Sequence, residues 1–334
     1  MSDDVRAASW RAMGCSVDVV VVGGPSSLLD LARSSIDHLE RRWSRFLPDS
    51  DLSRLNHAAG SPVHTDPATV VLLQVMLDGW RATQGLFDPT LLAPLVNLGY
   101  GASWHDPTTV TSLPHGALLR GDLEALLIDP VHNIVTAPKG MCLDAGGIGK
   151  GLAADLVVEA LLDAGAIGAS VSIGGDVALR GRAPGSGGWL IGIADPLIPA
   201  DTDVEVGQLT MIEGGVATSG TLRRRWQGAK GEPVHHLLDP ATGRPAHHAC
   251  ELVAATVVAG SAAWAEVWTK VVMVRGTVML ARLDEFGLGA QVTYADATTA
   301  ANEAWSSFEC PTRRGGSGQQ WGDRLGDEVE MVEV

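Results

Sequence analysis

The 334-residue chain has only 4 cysteines, and none of them belongs to a CxxC pair. Cys15, Cys142, Cys250 and Cys310 lie far apart, which argues against a redox dithiol or a zinc knuckle and suits reduced thiols in a cytoplasm. Positive charge is also scarce. Lys and Arg number 24 against 39 Asp and Glu, a formal net charge of −15. That is the wrong sign for gathering a nucleic-acid backbone or an anionic membrane by bulk attraction. Long apolar runs are missing too: the least charged stretch, Leu252 to Ala265, contains Gly and Ser and ends at Glu266, short of the ~20 apolar residues a spanning helix needs. The opening residues, MSDDVRAASWRAMGC, carry acids where a secretory leader needs positive charge, so export is not expected and Cys15 is no lipoprotein anchor. No internal repeat is found. What is present is ample apolar material, 46% of residues, enough for a sizeable core. At ~150 residues per domain the length allows roughly two domains or one domain of two lobes.

The run SVDVVVV, Ser16 to Val22, reads as a buried strand ended by Gly23, Gly24 and Pro25. Leu29, Ala32, Ile36, Leu39, Trp43 and Phe46 then recur every three or four residues, which predicts an amphipathic helix. A second helix is expected from the N-cap Asp66 and Pro67. From about Leu123 strands dominate: LEALLID and NIVTAP, then SVSIGG, DVALRG, GWLIGIAD, QLTMIEG and HHLLD, with turn residues at intervals suited to antiparallel sheet. A helix follows DAGGIGKG, and a helical pair is expected over about Ser261 to Phe286. Helices preceding and interrupting a meandering sheet indicate an α+β fold. Residues 311–334 are polar, Gly-rich and acidic, and read as a disordered tail to a domain spanning 1–310.

Several segments carry candidate chemistry. Asp144 to Asp155, DAGGIGKGLAAD, lacks both the phosphate-loop spacing and GxGxxG. Its glycines, a helix N-terminus and the charge of Lys150 still suit a pyrophosphate, against the alternative of a plain strand-to-helix turn. His236 opens HLLDPATGRP at a strand end, a plausible position for a general base. The pairs His235-His236 and His247-His248 give at most one metal ligand each, since strand neighbours point to opposite faces, and zinc is not expected. In ATSGTLRRRW, Ala217 to Trp226, the arginines read mainly as solvent-facing. The turn Gly174-Gly175-Asp176 reads as a hairpin with no required chemistry.

Taken together and in this order, these segments resemble the FAD:protein FMN transferase (ApbE) family. Met13-Gly14-Cys15 resembles its MGT; SRFLPDSDLSRLN, Ser44 to Asn56, its SxYxPDSExSRLN; FDPTLLAPLVNLGYG, Phe87 to Gly101, its FDPT and WGFG region. LDAGGIGKGLAAD, Leu143 to Asp155, resembles LDLGGIAKGYAVD, the most specific block. IGGD, ATSG and HLLDPATG follow, then AEVWTK, Ala265 to Lys270, in place of ADALAT.

The resemblance implies an ApbE-like, T-fold-like core of two lobes with antiparallel sheets and flanking helices. It implies transfer of the FMN moiety of FAD to a Thr or Ser hydroxyl of an acceptor flavoprotein, with AMP leaving and Mg2+ assisting. Met13, Phe46, Leu98, Gly99, Tyr100, Asp144, Lys150 and Leu238 fall where the family contacts FAD, and His236 where it has its base. Phe46 replaces a Tyr, and NLGYG is one residue short. The implied metal ligands are the Gly147 carbonyl and two side chains, but those two positions hold Glu266 and Lys270. An ammonium has no lone pair to offer. Either Thr269, about 100° round the helix, supplies an oxygen, or Lys270 pairs with Glu266 at i and i+4 and presents positive charge instead of a metal. Two rivals remain: hydrolysis of FAD to FMN and AMP, and a non-catalytic flavin-binding protein with a decayed metal site.

Overall fold

The computed structural model describes residues 4–104, 106–185, 187–198, 204–228, 231–246 and 252–310, and the backbone of 332–333. His247, His248, Cys250 and nearly all of the 311–334 segment lie outside the described residues.

An eight-stranded antiparallel sheet runs in the order Val5–Ala12, Cys15–Val22, Gly168–Ile173, Asp176–Gly181, Gly214–Gly220, Leu252–Ala259, Gly289–Tyr294, Thr299–Ala301. The valine run explains its central position. Val17, Val19 and Val21 enter the core under the helices, whereas Val20 and Val22 enter a second core on the opposite face. With side chains alternating, a strand buried on both faces has to be apolar at consecutive positions.

Among the described residues seven α-helices accompany the sheet: α1 (Leu28–Trp43), α2 (Asp51–His57), α3 (Pro67–Ala82), α4 (Leu92–Asn97), α5 (Gly149–Asp163), α6 (Ala262–Arg275) and α7 (Val278–Glu285). The periodicity read for the first helix holds from Ala32 through Ile36 and Leu39 to Trp43, all buried, but Leu28 rather than Leu29 is the buried residue of the first turn, and Phe46 lies beyond the end of the helix. Asp66 caps α3 by accepting from the Ala68 amide at 2.9 Å, with Pro67 in the first turn. Helix α6 is apolar nearly all round and buried along most of its length, so it carries Glu266 and Thr269 into the interior. Its N-terminus is held by Asp155 of α5, whose carboxylate accepts from the Ala262 and Ala263 amides, both at 2.9 Å. The helical face of the sheet shares one continuous core with α3 and the small sheet Val63–His64, Ile134–Thr136, Leu127–Asp129, through Leu72, Leu73, Leu123 and Val135. The other face is covered by the antiparallel pair Trp189–Ala194 and Glu205–Met211, where Trp189, Ile191, Leu209 and Met211 pack with Trp305. The architecture is α+β, as expected.

Two differences from expectation stand out. Val5–Ala12 is a strand, pairing with Cys15–Val22 through the turn Met13-Gly14. LEALLID is split, with a 3₁₀ turn at Leu123–Ala125 before a strand of three residues, Leu127–Asp129.

Candidate functional site

One end of the large sheet gathers the turns 13–14 and 174–175, the end of the strand Gly214–Gly220, and the first turn of α5. Gly174 and Gly175 have φ of 62° and 88°, which a two-residue hairpin with both residues left-handed requires. A Cβ on Gly174 would lie 2.9 Å from the Cys15 Sγ and 3.6 Å from the Lys150 Cδ. The two hairpin turns and the lysine are therefore packed against one another. Met13 also adopts a left-handed φ of 50°, an uncommon conformation for a side chain of its kind.

Glu266 is the hub. Its carboxylate is 0% exposed. Oε1 lies 3.3 Å from the Lys150 ammonium and 3.4 Å from that of Lys270, and Oε2 accepts from the Gly151 amide at 2.9 Å. Lys150 also donates to Asp176, and Lys270 donates to the Ser219 Oγ at 2.8 Å. Burial alone raises a carboxyl pKa, but the two ammoniums and the Gly151 amide outweigh it, so Glu266 sits below the ordinary range. Burial pushes both lysines below theirs, against the pull of Glu266. The turn Gly174-Gly175-Asp176, read as a hairpin with no required chemistry, also supplies a fully buried carboxylate, Asp176, as partner of Lys150. Arg223 and Arg225 are exposed, as expected, but the charge of the half-buried Arg224 acts on Lys150, Lys270 and His236.

The glycines divide their work. A Cβ on Gly151 would meet the Ala262 carbonyl oxygen at 2.4 Å, so this glycine serves the crossing of α5 and α6. Gly147 lies under the Phe87 ring and beside Lys270: a Cβ there would be 3.1 Å from the ring and 3.8 Å from the Lys270 Cε. Asp144 accepts from the Gly146 amide at 3.2 Å and lies 3.7 Å from the Arg45 guanidinium.

A second group of site residues is aromatic. The ring of Tyr100 is 6.3 Å from Phe46 and 5.5 Å from Trp226 between centroids. The Arg45 guanidinium lies 4.3 Å from the Phe46 centroid and 4.7 Å from that of Tyr100. Trp226 donates to the Leu98 carbonyl at 2.7 Å, and its indole nitrogen closes over Gly99, where a Cβ would be 3.1 Å away. A cavity of about 550 Å3 opens beside Arg45 and Phe46, with His57 and Ser112 in its lining. Leu238 is buried in a two-residue strand, Leu238–Asp239, paired with Arg244–Pro245. His236, between that strand and Pro233–His235, is half-buried, with its Nδ1 enclosed and unpartnered among the described residues. Burial, then Arg224 and Lys270, hold its pKa well below the usual value of 6.5, so the ring is neutral at pH 7. Sequence reading missed Arg45, Asp176, Ser219, Arg224 and Trp226.

The donor set does not fit a divalent cation. Both Glu266 oxygens are engaged, and the Thr269 hydroxyl lies 2.7 Å from the Glu266 carbonyl oxygen and 2.7 Å from the Ser219 Oγ. The Lys270 side chain, not that of an oxygen ligand, packs beside Gly147, its Cε 3.8 Å from where a Cβ would lie. Among the described residues no group of three or more His, Cys, Asp or Glu side chains is placed to hold a metal ion.

Residues 13–290 match the model of the ApbE family. The chain belongs to the ApbE family. The FAD:protein FMN transferase of Salmonella typhimurium is 31% identical over 291 residues, covering 83% of this chain and 80% of the relative. That of Klebsiella pneumoniae is 29% identical over 284 residues, covering 80% and 77%. The apo flavinyl transferase ApbE of Pseudomonas stutzeri superposes with a TM-score of 0.74 at 27% identity, over 92% of this chain and 97% of its own. The ApbE protein of Thermotoga maritima, at 24% identity, shares the fold with a TM-score of 0.78 over 92% and 100% of the two chains. No helix among the described residues of this ApbE-family chain is long and apolar enough to cross a membrane.

Proposed function

We propose that this chain transfers the FMN moiety of FAD to a Thr or Ser hydroxyl of an acceptor flavoprotein in the cytoplasm. The observation that carries the reading is the grouping at one sheet end of the Lys150 and Lys270 ammoniums with a neutral, half-buried imidazole. The names of the FAD:protein FMN transferases it resembles support the same reading.

In this chemistry the acceptor oxygen forms a bond to the FMN-side phosphorus, the bond from that phosphorus to the AMP phosphate breaks, AMP leaves, and the hydroxyl proton passes to His236. Phosphoryl transfer is mainly positioning and charge stabilisation. Lys150 and Lys270 supply charge at the pyrophosphate. Phe46, Tyr100 and Trp226 offer apolar faces for a flat ring system, with Arg45 fixing two of them from between.

The test is incubation with FAD and a flavoprotein that is encoded beside or copurifies with the chain. Flavin fluorescence retained on the denatured acceptor, with one AMP per flavin, is expected. Free FMN and AMP without label would instead establish hydrolysis, and intact FAD with no AMP would establish a binding protein.

A further inference from the structure

We infer that the Lys270 ammonium takes the place of a divalent cation at the FAD pyrophosphate, so that this chain binds and cleaves FAD without metal. The inference rests on the FAD transfer reading above, and it starts from the donor set. A cation at this centre needs free oxygens, and the Glu266 carboxylate has little to spare: Oε1 is shared between the two ammoniums at 3.3 and 3.4 Å and Oε2 already accepts from the Gly151 amide. The Thr269 hydroxyl is bound to the carbonyl of its own helix and to Ser219. A divalent ion placed among these groups meets two ammoniums and the charge of Arg224, in surroundings where burial magnifies repulsion.

The same groups suit an anion. Lys150 and Lys270 are balanced by Asp176 and Glu266, so Arg224 leaves the cluster with an excess of one positive charge in a chain of net charge −15. Each ammonium has three donors. Lys270 gives one to Ser219 and one to Glu266; Lys150 gives one to Asp176 and lies in ion-pair contact with Glu266 at 3.3 Å. At least one N–H on each remains, and the Lys270 and Lys150 side chains keep 14% and 19% exposure, which leaves an edge open to ligand. Glu266 thereby has a positioning role: it holds two cations at a fixed separation and contacts no substrate itself.

The experiment measures FAD affinity by calorimetry, AMP release, and the free Mn2+ signal by electron paramagnetic resonance, all on the full chain. For the native protein, affinity and AMP release should agree within about twofold between EDTA and millimolar Mg2+, and the Mn2+ signal should not diminish on adding protein and FAD. Lys270→Met, and the charge-balanced Glu266→Gln/Lys270→Met as a safeguard against misfolding, should weaken FAD binding about ten- to hundredfold, the range expected for one charge-assisted hydrogen bond. Loss of FAD binding or AMP release in EDTA, capture of Mn2+ by the native chain, or unchanged affinity in a folded double variant overturns the inference. FAD bound but never cleaved, under any metal condition, defeats the transfer reading and the cleavage half of this inference, and the Mn2+ and affinity results then decide whether Lys270 replaces the cation in binding. No FAD binding under any condition defeats both.

Discussion

Asn56 and Leu143 exchange two hydrogen bonds: the Asn56 amide donates to the Leu143 carbonyl at 2.9 Å, and the Leu143 N–H donates to the Asn56 Oδ1 at 2.7 Å. This pair joins the end of the SRLN segment on α2 to the residue that opens the glycine turn. Asn56→Leu would leave a buried N–H and a buried carbonyl unpaired, at about 1–3 kcal/mol each. The expected loss is about 2–6 kcal/mol in urea unfolding, with FAD affinity falling in step. A variant as stable as the parent would show that water replaces both bonds.

Gly151 and Gly147 should respond differently to alanine. At Gly151 the new methyl meets the Ala262 carbonyl oxygen at 2.4 Å, and neither helix backbone can yield cheaply, so α5 and α6 must part. Overpacking of this kind costs about 1–3 kcal/mol, and the Gly151 bond to Glu266 is lost with it. At Gly147 the nearest atom, 3.1 Å away, belongs to the Phe87 ring, which can shift by a few tenths of an ångström. Gly147→Ala should therefore unfold near the parental urea midpoint yet bind FAD more weakly, whereas Gly151→Ala should lower the midpoint clearly. Equal midpoints would contradict the helix-crossing role.

How much of this was legible follows from whether the signal was local. The α3 cap lay in two adjacent residues, Asp66 and Pro67, and the pairing of Glu266 with Lys270 followed from a spacing of four on one helix. Asp176, Ser219 and Arg224 reach the same centre from other segments, and no pattern within a segment distinguishes a buried carboxylate at a hairpin turn from a solvated one. The strand Val5–Ala12 went unread because its turn has Met13 at a left-handed position, where Asn, Asp or Gly would have signalled a hairpin. Trp226 closes on Leu98 across 128 residues of sequence, a contact only the assembled fold supplies.

Asp155 predicts a pH-dependent stability. Burial raises its pKa from 3.8 to about 6, and the Ala262 and Ala263 amides offset this only in part. The folded state thus holds a proton that the unfolded state releases. The contribution is fully present below about pH 4 and is lost as pH rises through 6; a shift of about two units corresponds to about 3 kcal/mol as an upper figure. Asp155→Asn removes the titrating group. The difference in unfolding free energy between parent and variant should therefore move against the parent between pH 4 and 7, and a constant difference would show that the carboxylate is not buried in solution.

His236 predicts the shape of the pH–rate profile. A base must be deprotonated before it can take the acceptor proton, so activity falls as pH drops through its pKa. Burial, with the charges of Arg224 and Lys270, holds that pKa well below 6.5. Transfer should accordingly stay level from about pH 8 to 6 rather than falling away near 6.5. His236→Gln should lower the transfer rate by about 10²–10⁴-fold while FAD affinity changes little, because the imidazole acts on the acceptor. Arg224→Gln removes one of the charges that disfavour the imidazolium, so the acid limb should shift upward in that variant. If the limb stays fixed when Arg224 is neutralised, the group titrating in the profile is not His236, and the proton leaves by another route.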